Sequence, residues 1–356
     1  MDIGQQIADA ADRLLAAHGS PDALTRAEEG VWPAALWSQL LGLGLGEAMI
    51  DEESGGHGFG WSDLAATFIA IGRRACPVPI GEHMVARALV ERAGLKTPDG
   101  ILTLSTRIGP RIQIDANRVS GELPAVVWGG ESHHLVFSCD GESGGGRLGV
   151  VELSAGTTRP RRSISRTPHA DLTYRNAEVR LAPAERGAVT LAGALLRSLQ
   201  ITGAIERVLA DTVTYANTRV QFGRPIGRFQ AIQQLVAELG NEAAASTATA
   251  MGAARALDRN EGHLAVAVAK ARSSVAAGRV AAIAHEVHAA IGVTLDFSLH
   301  HMTRRLWQWR NDFGDEFYWR AELARAATAE GPDRLWSLII AASGGVDANA
   351  SATEAT

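Results

Sequence analysis

Tyr215-Ala-Asn-Thr-Arg-Val-Gln-Phe-Gly-Arg-Pro-Ile-Gly-Arg-Phe-Gln230 joins two long helical patterns and gathers three Arg, two Gln and aromatic residues around a Phe222-Gly223 pair. Glycine supplies the backbone freedom of a tight turn, so the stretch reads as a short, sharply reversed linker. A fixed guanidinium can form two parallel bonds to phosphate oxygens. Gln230, on the first turn of the following helix, adds both a donor and an acceptor. The residues alone are equally compatible with an ordinary helix–loop–helix connection in which Arg219 caps carbonyls.

Working outward, Phe229, Ile232, Leu235, Val236 and Leu239 fall on one face of a helix. His263 to Ala290 is rich in alanine, and small residues allow close helix contact, so this helix is expected at the centre of a bundle. Upstream, residues 1 to about 95 show apolar stripes at helical spacing: Ile7, Ala11, Leu14 and Leu15, then Trp37, Leu40 and Leu41, then Leu64, Phe68 and Ile71, then Met84, Leu89 and Val90. After Gly100 the period changes. Ile101 to Ser105, Arg111 to Ile114, His134 to Ser138 and Leu148 to Leu153 read as short strands, and Leu172 to Leu181 as one or two more. Gly141 to Gly146 reads as a hairpin loop. The expected class is α+β: a helical domain over 1–100, a β domain over 101–186, a four-helix bundle over 187–343 and a frayed tail over 344–356.

The chain has 356 residues, enough for two or three domains, with 46% hydrophobic and 21% charged residues, as in ordinary globular proteins. A net charge of −5 without a Lys/Arg run gives no reason to expect nucleic acid as a partner. Two cysteines, Cys76 and Cys139, cannot make a disulfide framework, and a reducing cytoplasm is the simplest setting. The polar, acidic N-terminus is unlike a signal peptide, and no apolar run reaches the ~18 residues expected of a membrane span.

Three motifs have plain readings. Gly55-Gly-His-Gly-Phe-Gly60 follows no strand and lacks the Lys-Ser/Thr pair of a phosphate loop, so it reads as a helix connection. His285-Glu-Val-His288 is one residue short of a zinc helix motif and has no evident third ligand, so no metal is expected. Arg304-Arg305-Leu-Trp-Gln-Trp-Arg310 reads as packing at a subunit contact rather than base stacking.

The Tyr215–Gln230 segment closely resembles the linker before the last helices of the acyl-CoA dehydrogenase family, and the order of helical, β and bundle regions is similar to that family over essentially the whole chain. The resemblance implies FAD as cofactor, with Arg219, Gln221, Phe222 and Gln230 serving the flavin pyrophosphate of a neighbouring subunit. It therefore implies an oligomer, homomeric or with another chain of the family, an acyl-CoA substrate and an electron-transfer flavoprotein as acceptor. Glu286-Val-His-Ala-Ala-Ile-Gly292 resembles the family's Gln-x-His-Gly-Gly-x-Gly turn, adding Glu286 and Gly292 to the flavin candidates. Ala289-Ala290 replaces the Gly pair and Glu286 replaces Gln, which puts two methyl groups and a carboxylate where backbone would meet phosphate. In the β domain, Leu104-Ser-Thr-Arg-Ile-Gly-Pro-Arg111 keeps little of the family's flavin loop, and Trp128-Gly129 reads as core and turn.

The reaction of the family needs a carboxylate beside the thioester carbonyl to take the α-proton. Its usual position falls on Phe313-Gly314, and phenylalanine cannot accept a proton. A minority of the family carries the base on the helix before Tyr215, but Ala188 to Ile205 has no Asp or Glu, and Gly193 falls near that place. Asp312 is the candidate replacement base, with Glu316 flanking it from the other side. The pattern resembles the chain lacking the catalytic Glu in two-gene α2β2 members, whose partner supplies the base and whose substrates are often bulky, such as CoA thioesters of steroid side chains. The alternatives are a structural or regulatory subunit without chemistry of its own, and another flavin reaction on the same fold, such as nitroalkane oxidation or monooxygenation.

Overall fold

The computed structural model describes residues 3–106, 111–141, 145–334 and 336–337. Helices α1 (Ile3–His18), α2 (Pro21–Glu28), α3 (Ala34–Gly42), α4 (Trp61–Arg73) and α5 (Ile80–Arg92) form the first region. The sequence stripes are their buried faces: Ala11, Leu15, Leu40, Leu64, Phe68, Ile71, Met84 and Val90 share one core. The same core continues through Leu148 and Val150 of the β region and Leu195, Ala269 and Phe313 of the last helices, so the three regions are packed around common apolar contacts. The Gly55–Gly60 stretch is a connection, and it ends where the Asp258 carboxylate accepts the N–H groups of Trp61 and Ser62 at 2.7 and 2.8 Å. The first turn of α4 is thus capped from a distant helix.

The β region is two four-stranded sheets face to face. One has the order β1 (Leu102–Leu104), β4 (His134–Asp140), β5 (Gly146–Glu152), β8 (Arg180–Ala184); the other runs β2 (Arg111–Asp115), β3 (Arg118–Val127), β7 (His169–Glu178), β6 (Thr157–Arg161). Val119, Leu123, Leu135, Phe137, Val151, Leu172 and Tyr174 fill the space between them. Two strands went unread in the sequence. β3 contains Pro124, which argues against a central strand, but its register shifts between Leu123 and Val126, and a bulge absorbs the missing donor. β6 is an exposed edge with no apolar alternation to detect. Gly141 N–H bonds to the Gly145 carbonyl at 2.7 Å as in a hairpin, while residues 142–144 lie outside the described part.

The last region contains α6 (Ala188–Thr218), the hairpin β9 (Val220–Gln221) and β10 (Arg224–Pro225), α7 (Gln230–Asp258), α8 (Gly262–His288), α9 (Leu299–Trp309) and α10 (Glu316–Glu330). As its alanines predict, α8 is central: it packs on α6, α7, α9 and α10. α4 meets α6 at backbone distance, because a Cβ on Gly203 would lie 1.9 Å from the Ile69 carbonyl oxygen. By length and composition α6 could cross a membrane, contrary to the expectation that no stretch qualifies, but 89% of its most apolar window is buried inside the protein. The tail placed at 344–356 lies outside the described residues.

The Arg304-Arg305 pair is engaged by a carboxylate of the same chain. The buried Glu28 carboxylate, at the end of α2, receives His301 at 2.9 Å, Arg305 at 3.1 Å and Arg304 at 2.5 Å. Burial alone would raise the Glu28 pKa. The His301 hydrogen bond and the charges of Arg305 and Arg304 outweigh it and bring the value down to about 2. Because the folded value is depressed, this stabilisation is complete above the ordinary carboxylate range and is lost as pH falls through about 2. Glu28→Ala strands buried cations and should cost about 3 kcal/mol in urea unfolding. Glu28→Gln should flatten the acid limb of stability against pH.

Candidate active site and exposed hairpin

The two positions at which the resemblance places a base meet in space. Phe313 lies between α9 and α10 at φ +55, with its side chain in the core. Its ring covers Gly193 of α6 so closely that a Cβ at Gly193 would lie 2.2 Å from it. One turn along α6, the Arg197 guanidinium stands 5.6 Å from the ring centroids of both Phe313 and Trp309. The loop backbone is equally committed. Phe313 N–H donates to the Thr106 carbonyl at 2.8 Å, Trp319 Nε1 donates to the Phe313 carbonyl at 3.0 Å, and Lys270 Nζ donates to the Gly314 carbonyl at 2.7 Å.

Asp312 is brought to this centre as a counter-ion. It is 4% exposed, and its Oδ2 receives Arg197 Nε at 3.0 Å while its Oδ1 receives Gln308 Nε2 at 3.0 Å. Arg197 also reaches the buried Glu82 at 2.8 Å and the amide oxygen of Gln200. Burial pulls the Arg197 pKa down, but Glu82 and Asp312 outweigh it and hold it above its ordinary value. Both oxygens of the Asp312 carboxylate are thus occupied, one of them by a permanent cation. Glu316, the other flanking carboxylate, is engaged with Arg310 at 3.2 Å. Lys270 completes the group. Burial lowers its pKa to about 7 against the opposing pull of Asp312.

Beside this loop a polar cleft of about 780 Å³ separates the β region from the last helices, with Ser105, Thr190, His263, Tyr318 and Arg325 on its walls. Residues 107–110 of the altered flavin loop fall outside the described part. Trp128 is buried and opens the turn after β3, in agreement with its reading as core and turn.

The second assembly of candidates is the hairpin. Phe222 and Gly223 have φ of +50 and +76, the mirror-image turn that a two-residue hairpin requires. Phenylalanine is disfavoured there, and its side chain is 90% exposed. Arg219, Gln221 and Phe222 line a concavity of about 610 Å³ together with Ile226, Phe229 and the turn Val287–Ile291. Gln230 starts α7 next to it, exposed Glu286 precedes the turn and buried Gly292 follows it. The Arg219 guanidinium has no side-chain partner among the described residues, and α7 begins nearby with its positive dipole end. An anionic pyrophosphate over an apolar floor fits this arrangement. Two features oppose it: the Glu286 carboxylate, and Ala289, whose φ of +53 and ψ of −139 suit glycine. His288 supports the turn from below. Its ring stacks on Tyr215 at 4.4 Å, its Nδ1 bonds the Ala284 carbonyl at 2.8 Å, and burial lowers its pKa. His285 instead stacks on Trp307, so the two imidazoles of the zinc-like motif serve separate contacts.

Sequence reading missed Arg197, Glu82 and Lys270. One signal was available: Arg197 is the single charge within Ala188–Ile205. The steric reading of the core predicts a coupled pair. Gly193→Ala should destabilise by at least 2 kcal/mol through overpacking against Phe313. Combining it with Phe313→Ala should cost well under the sum of the two single changes, measured as a double-mutant cycle in denaturant. At the hairpin, Ala289→Gly should raise stability by about 1 kcal/mol in thermal unfolding, because it relieves a strained backbone.

Residues 2–96 match the family model "Acyl-CoA dehydrogenase, N-terminal domain" and residues 191–308 match "Acyl-CoA dehydrogenase, C-terminal domain". Acyl-CoA dehydrogenase IpdE2 of Mycobacterium tuberculosis is 29% identical over 304 residues, covering 83% of this chain and 88% of that protein. Its namesake in Mycolicibacterium smegmatis is 27% identical over 298 residues, covering 80% and 86%. Two solved structures share the fold. The ChsE4-ChsE5 complex from Mycobacterium tuberculosis has a TM-score of 0.85 at 23% identity, over 93% of this chain and 98% of that one. The Tcur3481-Tcur3483 steroid acyl-CoA dehydrogenase has a TM-score of 0.85 at 23% identity, over 92% and 99%. The two family domains together cover more than half of the sequence, and the chain belongs to the acyl-CoA dehydrogenase family of oxidoreductases.

Proposed function

We propose that this chain is the base-lacking subunit of a flavin-dependent acyl-CoA dehydrogenase, assembled with a second chain of the family that supplies the carboxylate. The observation that carries the reading is the Phe313 ring packed on Gly193, which fills both candidate base positions with hydrocarbon. The reaction is α,β-dehydrogenation of an acyl-CoA thioester: a carboxylate of the partner takes the α-proton, and the β-hydrogen leaves with its electron pair. Bound FAD would supply the acceptor for that hydride, with an electron-transfer flavoprotein as the next acceptor. The named steroid dehydrogenase among the structural neighbours supports a bulky acyl group as substrate.

This chain's residues hold and orient. Arg219 would hold the pyrophosphate, Gln221, Gln230 and the first turn of α7 would offer hydrogen bonds, and the exposed Phe222 would meet the neighbour. Glu286 and the Ala289-Ala290 pair weaken that grip compared with an amide and two glycines. Asp312 keeps Arg197 neutralised and takes no proton from substrate.

Purified complexes co-expressed with the partner chain test this reading. Arg219→Ala removes a charge-assisted contact of about 2 kcal/mol and should weaken FAD retention roughly thirtyfold, read from visible absorption after gel filtration. Glu286→Gln should tighten FAD retention. Asp312→Asn should leave turnover per folded, flavin-loaded complex unchanged. Loss of turnover in an intact Asp312→Asn complex would make Asp312 the base and reject the proposal.

A further inference from the structure

A cavity of about 240 Å³ lies where the N-terminal helices, the β region and the last helices meet. Its walls are apolar: Met49, Trp61, Val85, Leu148 and Leu191 are each at most 8% exposed. It is separate from the centre described above. At 3.6 residues per turn, Ala188, Leu191 and Ala192 of α6 face this cavity, while Gly193 and Arg197 point to the other side of the helix. A cavity of about 150 Å³ accommodates a benzene ring, so this one has room for a larger compact hydrocarbon.

The rim supplies polarity at one place. Arg92, the last residue of α5, is exposed and has no hydrogen-bond or ion-pair partner among the described residues. Asn260, held at φ +58, adds an amide, and Glu185 adds a carboxylate. Apolar walls with a few polar groups at a junction of domains are the usual make-up of a small-molecule site. A free guanidinium at the mouth selects an anionic head, and the geometry of its fork suits a carboxylate.

We infer that this junction cavity is a second ligand site, for a compact apolar carboxylic acid whose hydrocarbon lies against Trp61 and Leu191 and whose carboxylate meets Arg92. Glu185, on the same rim, opposes the anion and limits its affinity. The inference is independent of where flavin binds or which chain holds the base. Occupation ties three regions together, so a ligand stabilises the fold by mass action.

Octanoate and octanol serve as matched probes on the full chain, followed by displacement of 1-anilinonaphthalene-8-sulfonate fluorescence and by thermal shift. Octanoate should bind saturably and raise the melting temperature, with octanol about tenfold weaker. Arg92→Ala should abolish that preference, and Glu185→Gln should tighten octanoate severalfold. Ala88→Leu, which fills the cavity from α5, should abolish binding of both. The exposed Arg92→Ala change decides the matter if Ala88→Leu does not fold. Absence of octanoate binding, binding that survives Ala88→Leu, or an octanoate preference untouched by Arg92→Ala would overturn the inference.

Discussion

The Arg197 guanidinium, buried between Glu82 of α5 and Asp312 beyond α9, constrains everything around the centre of this protein. A lone buried cation costs several kcal/mol, and it is tolerated here because two carboxylates, an amide and two aromatic rings surround it. That set ties three segments distant in sequence to one point. It also determines what the turn between α9 and α10 can do. With Asp312 committed to Arg197 and the carbonyls around it committed to Lys270 and Trp319, Phe313 is driven onto Gly193.

The consequence is a division within one chain. The core around Gly193 and Phe313 is filled by hydrocarbon and paired charge. The hairpin after α6 is the opposite: an exposed phenylalanine in a strained turn, an arginine with no side-chain partner among the described residues and an apolar concavity. Strain and exposure of this kind persist where a surrounding structure or a ligand makes use of them. Under the proposed function, the filled centre and the open arm fit a chain that completes a neighbour's site. The packing supports that use, since the arm is anchored through Tyr215 and His288 to the centrally placed α8.

Local features were legible in the sequence, and long-range pairings were not. The Phe222-Gly223 turn, the apolar stripes and the small-residue face of α8 follow from local periodicity and glycine chemistry, and each recurs in the structure. β3 was hidden because Pro124 forbids a regular central strand, and only its bulge, visible in three dimensions, removes the objection. The pairing of Asp312 with Arg197 is invisible in the sequence because the two lie 115 residues apart. For the same reason the pairing of Arg304 and Arg305 with Glu28 is hidden, since Glu28 lies at the far end of the chain. That Gly193 and Phe313 fill one volume cannot be inferred from either position separately, although neither carries a carboxylate.

The central claim is that this chain carries no functioning base of its own. It is tested most directly by loading the isolated chain with FAD and adding an acyl-CoA anaerobically in a rapid-mixing spectrophotometer. The account predicts that the flavin's visible band stays unbleached until a partner chain bearing a glutamate base is supplied. Bleaching by the isolated chain at the rate of the complete complex would contradict it.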